Sequence, residues 1–243
     1  MKRLTSGLVM GLSCLLTSVA CGQDFRIETD VFYADETEPT VSTLTLFRGS
    51  TVYDFMGSDE QEITILDINR GRFVLIDCKR QVRTSLTTDQ LLRFAANLKA
   101  SASGSSKVLV NAKLTESLED DGTLVLTGTR VTYTVKTLKP PNADVVKRYR
   151  AFADWYARLN ATRVGNLPPF ARLQLNGALA KRGLVPQAVT RVVRTSNLLS
   201  TDHLLRTNHL VNWQLTNTDR KRISRAGDYM ATYREVTPVM YWK

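Results

Sequence analysis

Two histidines, His203 and His209, stand six residues apart in HLLRTNHLV, a segment whose alternation reads as strand. On an uninterrupted strand, residues at even spacing share a face, so both imidazoles would point the same way. Metal ligation needs further donors, and no Cys or acidic companion completes a set at ligand spacing. Asp202 beside His203 invites a catalytic dyad. Neighbours on a strand point to opposite faces, however, and the chain carries no nucleophile motif of the GxSxG or SxxK type. Asp54, Asp59, Glu60, Glu62 and Asp67 gather near two expected hairpin turns. Paired carboxylates can perform acid–base chemistry, but acidic residues at turns also serve solvation and turn geometry. No catalytic set, metal site or cofactor-binding pattern emerges, and the expectation is a protein that is not an enzyme.

Charge is the stronger signal. The chain holds 33 Lys and Arg against 23 Asp and Glu, a formal net charge of +10. From Asp24 to Val135 twelve basic side chains meet seventeen acidic ones, whereas Lys136 to Lys243 carries nineteen against six. Two clusters concentrate the surplus. Lys147, Arg148 and Arg150 are expected on the wet face of a helix over Val145 to Leu159, and Arg220, Lys221, Arg222 and Arg225 crowd the start of a last helix. Such a surface attracts anions. Each cluster also reads as an ordinary solvated helix face.

The compartment narrows the partner. Lys2-Arg3, an apolar stretch from about Leu8 to Leu16, and small residues Ser18 and Ala20 occur in the order of a secretory leader, giving a signal peptide over 1–20. Cys21 follows directly, so the terminus is either cleaved plainly after Ala20 or lipidated on the Cys21 thiol. Cys14 leaves with the leader, and Cys21 and Cys78 are too few for a disulfide framework. An exported protein rarely meets nucleic acid, so none is expected. Lipid head groups, a lipoprotein, an anionic membrane surface or an acidic protein fit better.

The elements that must position these residues change character midway. FRIETDVFY (Phe25 to Tyr33) alternates with period two. VSTLTLF and TVYDFM flank Arg48-Gly49-Ser50, and EITILDI and RFVLID flank Asn69-Arg70-Gly71, two hairpin signals that QVRTSL continues. Thr87 and Gln90 have capping-box spacing, and Leu91, Leu92, Phe94, Ala95 and Leu98 then form an apolar stripe ending near SASGSS. Strands return around Asp120-Asp121-Gly122. Beyond Pro140-Pro141, Asn142 opens a helix that presents Val145, Val146, Tyr149, Phe152, Ala153, Tyr156 and Leu159. Pro168-Pro169 starts another that Gly183 closes. QAVTRVVRT and HLLRTNHLVNWQL read as strands, and Thr218 or Asp219 starts the last helix. The order predicts an α+β fold with a curved, mainly antiparallel sheet. It forms one domain over 21–243, strand-rich over 24–137 and helix-rich and basic over 138–243.

The stretch LTLFRGSTVYDFM, with EITILDINRGRFVLIDCKRQVRTSLTTDQLLRF, resembles uncharacterised exported bacterial proteins and, more loosely, the LolA-like periplasmic lipoprotein carriers. The resemblance covers about Phe25 to Leu98. It implies a curved antiparallel sheet wrapped around helices and enclosing an apolar cavity for acyl chains. The chain departs from the carriers in opening on a strand and in its long basic second half, and no binding residue carries over. The expected function is a non-enzymatic envelope protein that binds a lipid, lipoprotein or anionic partner. The competing readings are a hydrolase using the scattered acidic residues and an interaction module docking on an acidic partner.

Overall fold

Period-two alternation and short glycine-bearing turns build the first half. The computed structural model describes residues 23–57, 60–194 and 203–242, so the leader expected over 1–20 lies outside the described residues. Strands β1 (Phe25–Tyr33), β2 (Val41–Arg48), β3 (Thr51–Met56), β4 (Glu62–Asp67), β5 (Arg72–Asp77) and β6 (Val82–Thr87) pair antiparallel in chain order. Gly71 turns the β4–β5 hairpin at φ +57°, a conformation that suits a residue without Cβ. Its carbonyl accepts bonds from the backbone N–H and Oγ1 of Thr88, which ties that hairpin to the next element.

That element is α1 (Thr88–Ser101). Its capping box forms as the spacing predicts: Thr87 Oγ1 accepts from the Gln90 N–H and Gln90 Oε1 from the Thr87 N–H. The apolar stripe is narrower than expected. Leu91 and Ala95 are buried and Leu98 is half-buried, whereas Leu92 is 46% exposed and Phe94 also faces out. Positions 91, 95 and 98 lie on one line of the helix, and 92 and 94 are rotated off it. SASGSS is not one loop either, because Gly104 already begins α2 (Gly104–Val110).

A second meander follows, built from β7 (Thr115–Leu118), β8 (Leu124–Thr127), β9 (Val131–Leu138), β10 (Val185–Val193) and β11 (His203–Asn212). Between β9 and β10 run α3 (Ala143–Asn160) and α4 (Phe170–Lys181). Asn142 Oδ1 caps α3 by accepting from the Val145 N–H at 3.1 Å. β11 then pairs antiparallel with β1 over its length, joining the two meanders into one open sheet. The chain closes with α5 (Asn217–Thr232), the short β12 (Arg234–Glu235), which adds parallel to β6, and α6 (Pro238–Tyr241). α5 begins before Thr218, because Thr216 and Asp219 form the capping box there. The architecture is α+β, with a mostly antiparallel sheet of twelve strands.

Alternation gives the sheet two apolar faces. On the inner face Phe25, Phe47, Val52, Leu66 and Phe73 pack with Val145, Tyr149 and Phe152 of α3, Leu91 of α1 and Tyr241 of α6. Phe47 stacks on Phe25 at 4.1 Å and meets Phe152 edge-on at 5.6 Å. A second inner cluster joins Leu124, Tyr133, Val135 and Val189 to Leu175 and Leu179 of α4. On the outer face Leu46, Phe55, Ile65, Val74 and Ile76 are covered by Ile223 and Ala226 of α5. The link from β6, next to the β12 edge, to β7 at the other edge of the sheet runs through α1 and α2. At about 4.8 Å per strand a flat sheet of that width would stretch the link nearly straight. Instead α1 packs on α3 and α2 on α4, so the sheet curls around its inner helices.

Candidate functional site

Strand pairing lines the inner face in rows, and two rows carry polar groups. One runs Val211, Ile27, Thr45, Asp54, Thr64, Leu75 and Thr84 across β11 and β1 to β6. Asp54 is therefore not a turn residue. It sits mid-strand and 4% exposed, accepting from Thr45 Oγ1 at 2.6 Å and from the Tyr156 hydroxyl at 2.9 Å. Burial pushes its carboxyl above the ordinary value, and the two hydroxyls and Arg163 pull the other way. Tyr156 is raised well above its usual value by the same burial and by the Asp54 charge. Nearby, Arg163 pairs with Glu62 at 3.2 Å and lies over the Trp242 ring, so the C-terminal segment covers this end. The Asp54 carboxyl is answered by two hydroxyls, whereas Thr84 Oγ1 in the same row and Arg163 Nε beside it are buried without a partner.

The other row runs Tyr133, Arg191, Leu205 and Tyr33 across β9, β10, β11 and β1. Arg172 reaches toward it from α4, donating from Nε to Asn176 Oδ1 at 3.1 Å and from Nη2 to the Tyr149 hydroxyl at 3.4 Å. Asn176 in turn donates to Asp154, which pairs with Arg150 at 3.5 Å. Arg191 has its Nε buried without a hydrogen-bond partner. Burial lowers its pKa, with Arg172 adding to the fall and the Tyr133 and Tyr33 hydroxyls opposing it. Four residues along β11 from Leu205, His209 lies between Thr29 Oγ1 at 2.9 Å and Thr207 Oγ1 at 3.1 Å. Burial, then the Arg172 charge, brings its pKa down to about 3, so the ring is neutral at ordinary pH. Among the described residues no carboxylate lies within salt-bridge distance of Arg172 or Arg191.

The basic residues singled out by sequence are divided between the two faces. Lys147 is exposed on α3, and Arg150 is half exposed beside Asp154. Arg148 does not face water. It is 8% exposed, donates to the Gln23 carbonyl at 2.6 Å and lies over the Phe25 ring. The physical reason is its helical phase, one turn after Val145 and one before Phe152, at the margin of the buried stripe. On α5, across the sheet, Arg220 and Lys221 are exposed, while Arg222 and Arg225 both bond Glu60 at 2.8 Å and 3.3 Å. The α3 and α5 clusters are therefore separate features rather than one continuous patch.

His203 and His209 do share the inner face, but six strand residues separate them by about 20 Å. Among the described residues no cluster of His, Cys, Asp and Glu could hold a metal ion. Asp59, Asp202 and Cys21 lie outside the described residues. Cys78 is half-buried, and burial, with Glu60 and Asp77 nearby, pushes its thiol up to about 11, which suits an inert structural role. An outer-face groove of about 440 Å³ is lined by Glu28, Asp30, Lys136, Gln187, Asn208 and Leu210, and carries both signs of charge.

Sequence reasoning passed over Arg172, Arg191 and the Asp54–Tyr156 pair. One signal was available: in QAVTRVVRT the inward phase reads Val189, Arg191, Val193, a cation where the alternation calls for an apolar residue.

No protein-family model matches the chain, and no curated protein matches it. Among solved structures it is similar to the crystal structure of a LolA superfamily protein from Nitrosomonas europaea. The identity is 7% over 81% of this chain and 87% of that one, at a TM-score of 0.32.

Proposed function

We propose that this chain is an exported, non-enzymatic protein of the cell envelope that binds a lipid, lipoprotein or other anionic partner. The chain over 21–243 acts as one folded unit after loss of its leader. The observation that carries the reading is the charge surplus of the second half, nineteen basic side chains against six acidic ones. Ion pairing does not exhaust that surplus: Lys147, Arg220 and Lys221 remain exposed, and Arg172 and Arg191 meet no carboxylate among the described residues. The Asp54 and Glu62 carboxyls are engaged by Tyr156 and Arg163, which favours binding over hydrolysis.

Vesicle flotation tests the reading. The protein should float with phosphatidylglycerol vesicles at low salt and remain behind with phosphatidylcholine vesicles. Each exposed cation near such a surface contributes about 1 kcal/mol. The preference should fade as salt shortens the screening length to about 8 Å near physiological strength. Reversing Arg220 and Lys221 to Glu should remove much of it. Equal flotation with both vesicle types at low salt would refute the proposal.

A further inference from the structure

Among the described residues, Arg172 and Arg191 on the inner face meet no carboxylate within salt-bridge distance. An arginine held half-buried is costly unless something balances it, and a buried N–H without an acceptor adds to that cost. Arg172 uses two of its donors on neutral partners, Asn176 and Tyr149. Arg191 leaves its Nε without a partner. Asp154, the acidic side chain linked to this cluster, is engaged by Asn176 and Arg150. His209, between its two threonines, contributes no compensating negative charge. The row also opens to solvent at one end: Tyr33 is 48% exposed, and Leu205 and Thr207 are half-buried beside it.

We propose that Arg172 and Arg191, with the hydroxyls of Tyr133, Tyr149 and Tyr33 around them, form a binding site for a phosphate monoester group on the inner face. The guanidinium fork matches the geometry of phosphate oxygens and binds them in pairs. A dianionic phosphate would supply the charge that the cluster lacks, and the orphaned Arg191 Nε–H would gain an acceptor. The tyrosine and Leu205 margin presents apolar surface beside the charged centre, as the start of an acyl or other hydrocarbon chain requires. The group could belong to a lipid or to free phosphate, and the chemistry at the arginines is the same.

This site deepens the anion-binding reading, so its test must be able to fail separately. Isothermal titration at low ionic strength uses inorganic phosphate in one arm and a lysophosphatidic acid below its micelle concentration in the other. Lysophosphatidylcholine of the same chain length is the control. The wild type should bind lysophosphatidic acid and not the control, and phosphate alone should bind more weakly if the chain margin contributes. Arg191→Gln and Arg172→Gln should each weaken binding at least tenfold, and Arg191→Gln should do so without lowering the melting temperature, because its Nε has no partner to lose. Arg220→Gln, exposed on α5 across the sheet, should bind as the wild type does. Phosphate binding equal to that of the lipid would make free phosphate the ligand and keep the site. Unchanged affinity in both arginine variants, or no heat from either anion, would overturn it. If the anionic vesicles still capture the protein in that case, only this site falls. If phosphate binds through Arg191 while vesicles do not, the site stands without the membrane reading.

Discussion

The Asp54–Tyr156 pair offers a sharp test of whether the buried Asp54 carboxyl is held by its hydrogen bonds. Tyr156→Phe removes the hydroxyl that donates to Asp54 at 2.9 Å and leaves Thr45 Oγ1 as the carboxyl's remaining hydrogen-bond partner. A hydrogen bond to an ionised group contributes about 1.5–3 kcal/mol, and one between neutral groups about 0.5–1.5 kcal/mol. Water cannot replace the lost donor at a side chain only 4% exposed. Burial raises the folded-state pKa of Asp54 above its ordinary 3.8, so between those two values the folded protein binds more protons than the unfolded chain. Over that window Asp54's contribution to stability falls as pH rises, and it stays reduced above the folded pKa. Asp54→Asn removes that slope, and the variant should gain on the wild type as pH climbs through the window. The coupling between Asp54→Asn and Tyr156→Phe should grow over the same window, toward about 1 kcal/mol or more as the carboxyl ionises. Urea unfolding of the four proteins of the cycle at intervals from pH 4 to pH 9 measures this. Additivity within about 0.5 kcal/mol at every pH would refute the reasoning, because independent sites behave that way.

Leu91→Ala should cost about 2–5 kcal/mol in urea unfolding, since Leu91 is buried. Leu92→Ala, one position on and 46% exposed, should cost less than about 0.5 kcal/mol; equal losses would misplace the phase of α1. Intact mass of exported material should show a chain beginning at Cys21, and acylation there would appear as a mass gain of lipid size. Retention of Met1 on the mature protein would remove the basis for an envelope partner.

The first meander can be read from sequence because its signals are local. Alternation in FRIETDVFY and turn glycines between apolar runs determine which side chains point inward before any partner strand is known. The sheet-closing step is different in kind. β1 pairs with β11 across some 180 residues of chain, and nothing in either strand names its partner. Both inner-face polar rows depend on long-range order of this kind. The Tyr133–Arg191–Leu205–Tyr33 row joins the two meanders, and Arg172 reaches it only because α4 packs over β9 and β10. The Asp54 row lies on neighbouring strands, yet its burial needs Tyr156 brought down by α3. Clustering in sequence was a poor guide to charge for a related reason. Arg222 and Arg225 look like an exposed basic run, but the fold brings Glu60 from the β3–β4 turn against them. Arg172 and Arg191 are isolated in sequence, and the packing of α4 on β10 brings them to the same part of the inner face. A charge run shows where cations are plentiful, whereas a site depends on where counter-charges are missing. Only the folded arrangement distinguishes the two.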